Sequence, residues 1–192
     1  MNLIVVAVAV LAYFIGAIPI GYVVAKIKGI ADIRKHGSGN SGATNVSRTL
    51  GLPYFFLIFF LDAGKAFFFI YAMQTYFSLE YLYFFAFILL IGNGCSLFLY
   101  GSGGKGVATL FGLVAALNFW AVWLMLGIWL LILGLTHTVG IASICSVICL
   151  PLYALLLHDY AFLLFSLCAA SWIIWKHESN IRRYWEFYCI KK

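Results

Sequence analysis

The chain has 192 residues, of which 65% are hydrophobic and 9% charged, with a mean hydropathy of +1.05. So few charges cannot cover the surface of a soluble globule, so the composition excludes a soluble domain and indicates several membrane spans. The formal charge of +6 fits an orientation signal in the bilayer and acidic ligands; nucleic acid is not an expected partner.

The first apolar run, residues 3–25, is predicted to span. Met1-Asn2 brings no positive charge and the run is too long for a signal-peptide core, so it reads as a retained helix. Gly16, Pro19 and Gly21 mark a bend or a close helix contact within it. Lys26, Lys28, Arg34 and Lys35 follow, and then a polar island over 35–51, KHGSGNSGATNVSRTLG. A second span is expected over about 53–77 and a third running to Tyr100, with Glu80 in the connection. The second island, GSGGKGVAT, covers 101–109.

The apolar stretch 107–135 would be about 43 Å long as one helix, against a hydrocarbon core of about 30 Å. Asn118 in its middle suggests a turn between two short segments, 107–117 and 120–135. Two more spans, about 139–157 and 160–175, are separated by His158-Asp159, and a third island, KHESNIRR, follows at 176–183. Seven crossings would put all twelve Lys and Arg residues on one side and Glu80 and Asp159 on the other. The positive-inside rule therefore favours an all-α bundle of about seven transmembrane helices, N-terminus out and C-terminus cytoplasmic, as a single membrane-embedded domain over 1–192.

The islands carry the chemistry. Gly37, Gly39 and Gly42 allow successive N–H groups to converge on an anion; Ser38, Asn40, Ser41, Thr44 and Asn45 add small polar groups, and Arg48 a forked cation. The second island is no Walker loop, since Leu99 stands where that pattern needs glycine and Gly106 follows Lys105. Its glycines, Lys105 and Thr109 still lead into a helix whose N-terminus favours phosphate. In the third island, His177 and Asn180 share a face if the helix continues, and the imidazole can serve as base or phosphate donor. Asp62 and Lys65 are spaced for an ion pair inside the bundle. The terminal Lys191 and Lys192 suit anionic head groups. Cys95, Cys145, Cys149, Cys168 and Cys189 show neither metal spacing nor a paired framework.

Together GSGNSGATNVSRTLG at 37–51, GGKGVAT at 103–109, the serine region at 141–144 and KHESNIRR at 176–183 resemble the bacterial acyl-phosphate:glycerol-3-phosphate acyltransferase family over essentially the whole chain. The chain departs from that pattern at Asn93, Ser96 and Ser102, where the family usually has His, Pro and Lys. The resemblance implies transfer of a fatty acyl group from acyl phosphate to the 1-hydroxyl of glycerol 3-phosphate, giving lysophosphatidic acid and phosphate, at the cytoplasmic face of the bacterial inner membrane. No cofactor or metal is implied, and the oligomeric state is left open, a monomer being compatible. On that reading Lys105, His177 and Ser143 are the catalytic candidates. Ser38, Asn40, Asn45, Arg48, Gly103, Gly104, Gly106, Thr109 and Asn180 would bind substrate. The competing class is a small transporter of phosphorylated metabolites, which would place its polar groups near mid-membrane and show an inverted repeat; neither feature is visible.

Overall fold

The computed structural model describes residues 2–186 and is helical throughout, with no strand among them. Lys191, Lys192 and Cys189 lie outside the described residues. The chain forms two compact units, with the boundary between Val122 and Trp123.

In the first unit the leading apolar run is two helices, α1 (Leu3–Ala17) and α2 (Ile20–Ile27). Pro19, which has no N–H to continue the ladder, stands at the break. Gly16 is there because a Cβ would collide with the Leu89 carbonyl of α5 (Leu79–Gly94), and Gly92 of α5 meets Tyr13 in the same way. Without side chains the two backbones approach closely, which is how helices bind each other in a solvent as apolar as themselves.

The first island folds into the short helix α3 (Ala43–Leu50), and Gly51, with φ of 96°, turns the chain into α4 (Leu52–Met73). Pro53 sits in the first turn of α4, where a missing N–H costs nothing. Ala43 and Val46 of α3 join Ala25, Ile33 and Ile58 in a buried cluster that fastens the island to α2 and α4. On α4, Leu57, Phe60, Leu61 and Phe68 are exposed while Ile58, Asp62, Ala66 and Phe69 are buried. The helix thus turns its apolar stripe outward, to lipid, and its carboxylate inward.

The second span ends earlier than the hydropathy suggests, while the third, Leu79–Leu99, closes next to the expected Tyr100 but is broken inside. Helix α4 stops at Met73, and the Gln74 side chain then donates to the Ala116 carbonyl at 2.7 Å. Helix α5 stops at Gly94; a single 3-10 turn, Leu97–Leu99, comes next, and Tyr100 is left-handed. The break at Asn118 is present: α6 covers Val107–Leu117 and α7 covers Phe119–Thr136. Asn118 is extended and its Oδ1 accepts from the Ala121 N–H at 3.1 Å, capping α7. Gly112 of α6 lies against the Ala63 carbonyl of α4.

The second unit holds most of α7, then α8 (Val139–Leu156), α9 (Tyr160–Lys176) and α10 (Glu178–Trp185). Helices α8 and α9 pack together, and Asp159 caps α9 by accepting from the Phe162 N–H at 2.9 Å. By length and apolar composition, five segments among the described residues qualify as spans: Leu3–Ile27, Leu52–Met73, Leu79–Leu99, Phe119–Thr136 and Val139–Leu156. Val107–Leu117 and Tyr160–Lys176 are apolar but shorter. The four described cysteines are free, and Cys149 is buried as expected of a small hydrophobe, with its Sγ donating to the Ser146 carbonyl.

Candidate active site

Ahead of the first island, Asp32 accepts from the Arg34 backbone N–H at 2.9 Å and pairs with its guanidinium through both oxygens, Nη2–Oδ2 being 2.8 Å. These hydrogen bonds to Arg34 hold the Asp32 carboxyl down at about 2 and raise the Arg34 guanidinium. Arg34 stacks over Tyr22, 5.5 Å from the ring centre. Its Nη1 reaches the second island, donating to the Leu99 carbonyl at 3.2 Å and to Ser102 Oγ at 3.1 Å. One side chain therefore ties the entrance of the first island to the start of the second.

The island itself is wrapped round Asn45, which is only 1% exposed. Asn45 Oδ1 accepts from the Ser38 N–H at 2.7 Å, and Nδ2 donates to the carbonyls of Ile33, His36 and Asn40 at 3.2, 2.9 and 2.8 Å. Gly37 (φ 59°) must be glycine twice over, because its conformation is left-handed and a Cβ would strike Asn45 Oδ1. Asn40 closes a turn by accepting from the Gly42 N–H at 2.6 Å, and its Nδ2 donates to the Gly103 carbonyl at 3.3 Å. Arg48, in the last turn of α3, is exposed and in no ion pair among the described residues, with its stem beside Gly37.

The second island is pressed against α5. The Gly104 N–H donates to the Asn93 carbonyl at 2.9 Å, and a Cβ on Gly103 would run into that same oxygen. Gly106 (φ 87°) starts α6 with no side-chain cap, leaving first-turn N–H groups without an intrahelical or side-chain acceptor among the described residues. Thr109, in that first turn, is 1% exposed and its hydroxyl has no hydrogen-bond partner among the described residues. A buried hydroxyl without a partner costs roughly 1–3 kcal/mol. An incoming acceptor oxygen would relieve that cost and the uncapped N–H groups together. Lys105 stands half-buried immediately before this helix start. A narrow cavity between the islands is lined by backbone of Gly42, Gly103 and Gly104 and by Asp62 and Asn93.

In the second unit, His177 is 3% exposed and ends α9. Its Nδ1 lies 2.8 Å from the Ile173 carbonyl, which only accepts, so Nδ1 carries a hydrogen and Nε2 is the nitrogen that differs between the neutral and charged ring. Asn180 of α10 packs against Gly140 of α8, where a Cβ would meet its Nδ2. One turn further along α8, Ser143 is buried and its Oγ accepts from Trp129 Nε1 at 3.2 Å.

Of the sequence-derived candidates, the first unit collects Ser38, Asn40, Asn45, Arg48, Gly103, Gly104, Lys105, Gly106 and Thr109. The second unit contains Ser143, His177 and Asn180. The reading of the motifs missed the Asp32–Arg34 clasp and Asn93. Asp-Ile-Arg just before a glycine-rich loop was the available signal for the first; Asn93 stood out as a departure from the family pattern, but its part in the structure is played by a backbone carbonyl, which side-chain identity does not reveal. At the three departures, Asn93 seats the second island, Ser96 Oγ donates to the Ala17 carbonyl at 2.5 Å, and Ser102 receives Arg34.

The apolar-out helices define an integral membrane protein that carries glycine-rich loops and an uncapped helix start. The profile of the family described as glycerol-3-phosphate acyltransferase matches residues 6–186. Curated relatives of that name include proteins from Thermosipho melanesiensis, 36% identical over 90% of this chain and 85% of its own, and Prochlorococcus marinus, 38% identical over 90% and 89%. Crystal structures of PlsY, an integral membrane glycerol 3-phosphate acyltransferase, superpose with TM-scores of 0.89 in the glycerol 3-phosphate form and 0.86 in the lysophosphatidic acid form. They are 35% and 34% identical, each pairing covering 93% of this chain and 90% of the other. The chain belongs to the glycerol-3-phosphate acyltransferase family and is an integral membrane acyltransferase.

Proposed function

We propose that the protein transfers a fatty acyl group from acyl phosphate to the 1-hydroxyl of glycerol 3-phosphate, releasing lysophosphatidic acid and inorganic phosphate. The observation that carries this reading is the uncapped start of α6 with a Thr109 hydroxyl that has no partner among the described residues, joined to the first island by Asn40–Gly103 and to the residues just ahead of it by Arg34–Ser102. Such a cradle fits phosphate, which both substrates bear.

The hydroxyl oxygen attacks the acyl carbonyl carbon, the carbon–oxygen bond to phosphate breaks, and phosphate leaves. Because the donor is already activated, no covalent enzyme intermediate is needed. Holding the reactants in line supplies up to roughly 7–11 kcal/mol of barrier lowering. Lys105 and the α6 N–H groups stabilise charge on the carbonyl and leaving oxygens. Ser38, Asn40 and Arg48 hold phosphate with Gly103, Gly104, Gly106 and Thr109, while Asn45 contributes by shaping the loop, its amide being engaged there. Ser143, His177 and Asn180 serve the acceptor. The hydroxyl proton goes to His177 Nε2 or to a donor phosphate oxygen.

The topology we propose has seven crossings within one catalytic domain, α6 being a short one supported by packing on α4. The N-terminus is outside, and the islands face the cytoplasm across the bacterial inner membrane, where the positive-inside rule puts the lysines and arginines. The test uses purified protein in lipid bilayers with acyl phosphate and glycerol 3-phosphate. Phosphate release dependent on both supports the reading; uptake of unchanged label into vesicles would replace it with transport.

A further inference from the structure

Asp62 and Lys65 have no part in the chemistry above, yet both lie within an apolar span. Asp62 is 7% exposed and their side chains are each 10% exposed. Charge in such a place is costly and calls for a reason. The reason begins with Pro19. Breaking the first span there removes the helical donors from the carbonyls at the end of α1; the Ile18 carbonyl keeps one short-range bond, from the Ile20 N–H at 3.1 Å, and no water in a bilayer core can complete the set. Lys65 Nζ donates to two of these carbonyls, Gly16 at 3.0 Å and Ile18 at 2.9 Å. Its charge is answered by Asp62 Oδ1 at 2.7 Å, an ion pair in contact but outside hydrogen-bond alignment.

The segment beyond the break supports the first island. Helix α2 starts at Ile20, and Gly21 lies so close to the Ser41 carbonyl that a Cβ would strike it. Asp62 also lines the narrow cavity with Gly21, Ser41, Gly42, Gly103 and Gly104, so the residue that answers the Lys65 charge borders both islands at once. We propose that Lys65, held by Asp62, is a positioning residue for the phosphate cradle: by pinning the broken end of α1 it fixes where α2 sets the first island against the second. A pair that served only to neutralise itself would need neither the two α1 carbonyls nor a place in that cavity. This inference rests on the proposed reaction.

Steady-state kinetics in lipid bilayers, with folded protein quantified in each sample, tests it. Lys65→Met is expected to raise the KM for glycerol 3-phosphate at least tenfold per folded molecule, and Lys65→Arg, which keeps a cation and its donors, to restore it to within about threefold. Gly21→Ala disturbs the same contact, so its effect should not multiply with that of Lys65→Met in the double variant. Asp62→Asn, which preserves shape, carries the same expectation where Lys65→Met does not fold. Lower thermal stability with unchanged KM and kcat, or multiplicative effects in the double variant, overturns the positioning role. Absence of two-substrate phosphate release in the unmodified protein overturns the proposed reaction instead.

Discussion

Replacing Asn45 by Ala separates a loop-building role from direct contact with substrate. The substitution removes one acceptor and the donors to three carbonyls, in a place from which water is nearly absent. A hydrogen bond contributes about 0.5–1.5 kcal/mol net, and each group left unpaired in a buried site costs about 1–3 kcal/mol. Because the His36 to Gly39 backbone is near the surface and can take up water once released, about 2–3 kcal/mol of local stability should be lost. At about 1.4 kcal/mol per tenfold, the loop would open roughly 30- to 150-fold more often. Hydrogen exchange in detergent or lipid, without substrates, reads this directly. Peptides covering 36–42 should exchange faster by that factor, while those in α5 stay unchanged, and kcat/KM should fall in parallel. Asn45→Asp should be no better than Ala, since it would set a carboxylate oxygen against the carbonyls that now receive Nδ2. Lost activity with wild-type exchange over 36–42 would refute the reasoning and make Asn45 a ligand.

Thr109→Val removes a hydroxyl that has no partner among the described residues. Stability should hold or rise by up to about 1 kcal/mol, while KM for a phosphate-bearing substrate rises severalfold; a clear fall in melting temperature would reveal an internal partner. Gly103→Ala should abolish most activity, because the Asn93 carbonyl cannot move aside. Gly101→Ala (φ 83°, open space) should cost only about 1 kcal/mol of left-handed strain and leave kcat near normal. The reverse order would refute the seating of the second island on α5. Asp32, held down at about 2 against an ordinary 3.8, stays ionised above about pH 4, and its contribution is lost only as pH falls from there towards 2. Asp32→Asn should therefore lower activity without moving any pH–rate limb between 5 and 8; a displaced limb in that window would contradict the assignment.

Much of the architecture could be read one residue at a time. Apolar run lengths give the helices because bilayer thickness is fixed, and the local chemistry of Pro19 and Asn118 gives the breaks, since a missing N–H or a side-chain cap acts within one turn. The end of the second span and the break inside the third were less legible: Gln74 turns to Ala116, and the chain after Gly94 is held by Ser96 on Ala17, partners 42 and 79 residues away. The same limit applies at the candidate site. Glycine-rich composition marks both islands as candidates for anion binding, but a list of polar residues does not distinguish one that faces outward, such as Arg48, from one whose amide is engaged inward, such as Asn45.

By itself, then, the amino-acid order determined a many-helix membrane protein with three polar islands and the breaks at Pro19 and Asn118. Tertiary structure alone decided that Arg34 clasps Ser102 across 68 residues and that Lys65 satisfies the α1 end across 47 and 49. Hydropathy and capping act between near neighbours along the chain, whereas the partner of a long cationic side chain is chosen by whichever acceptors with lone pairs to spare packing has brought within its reach.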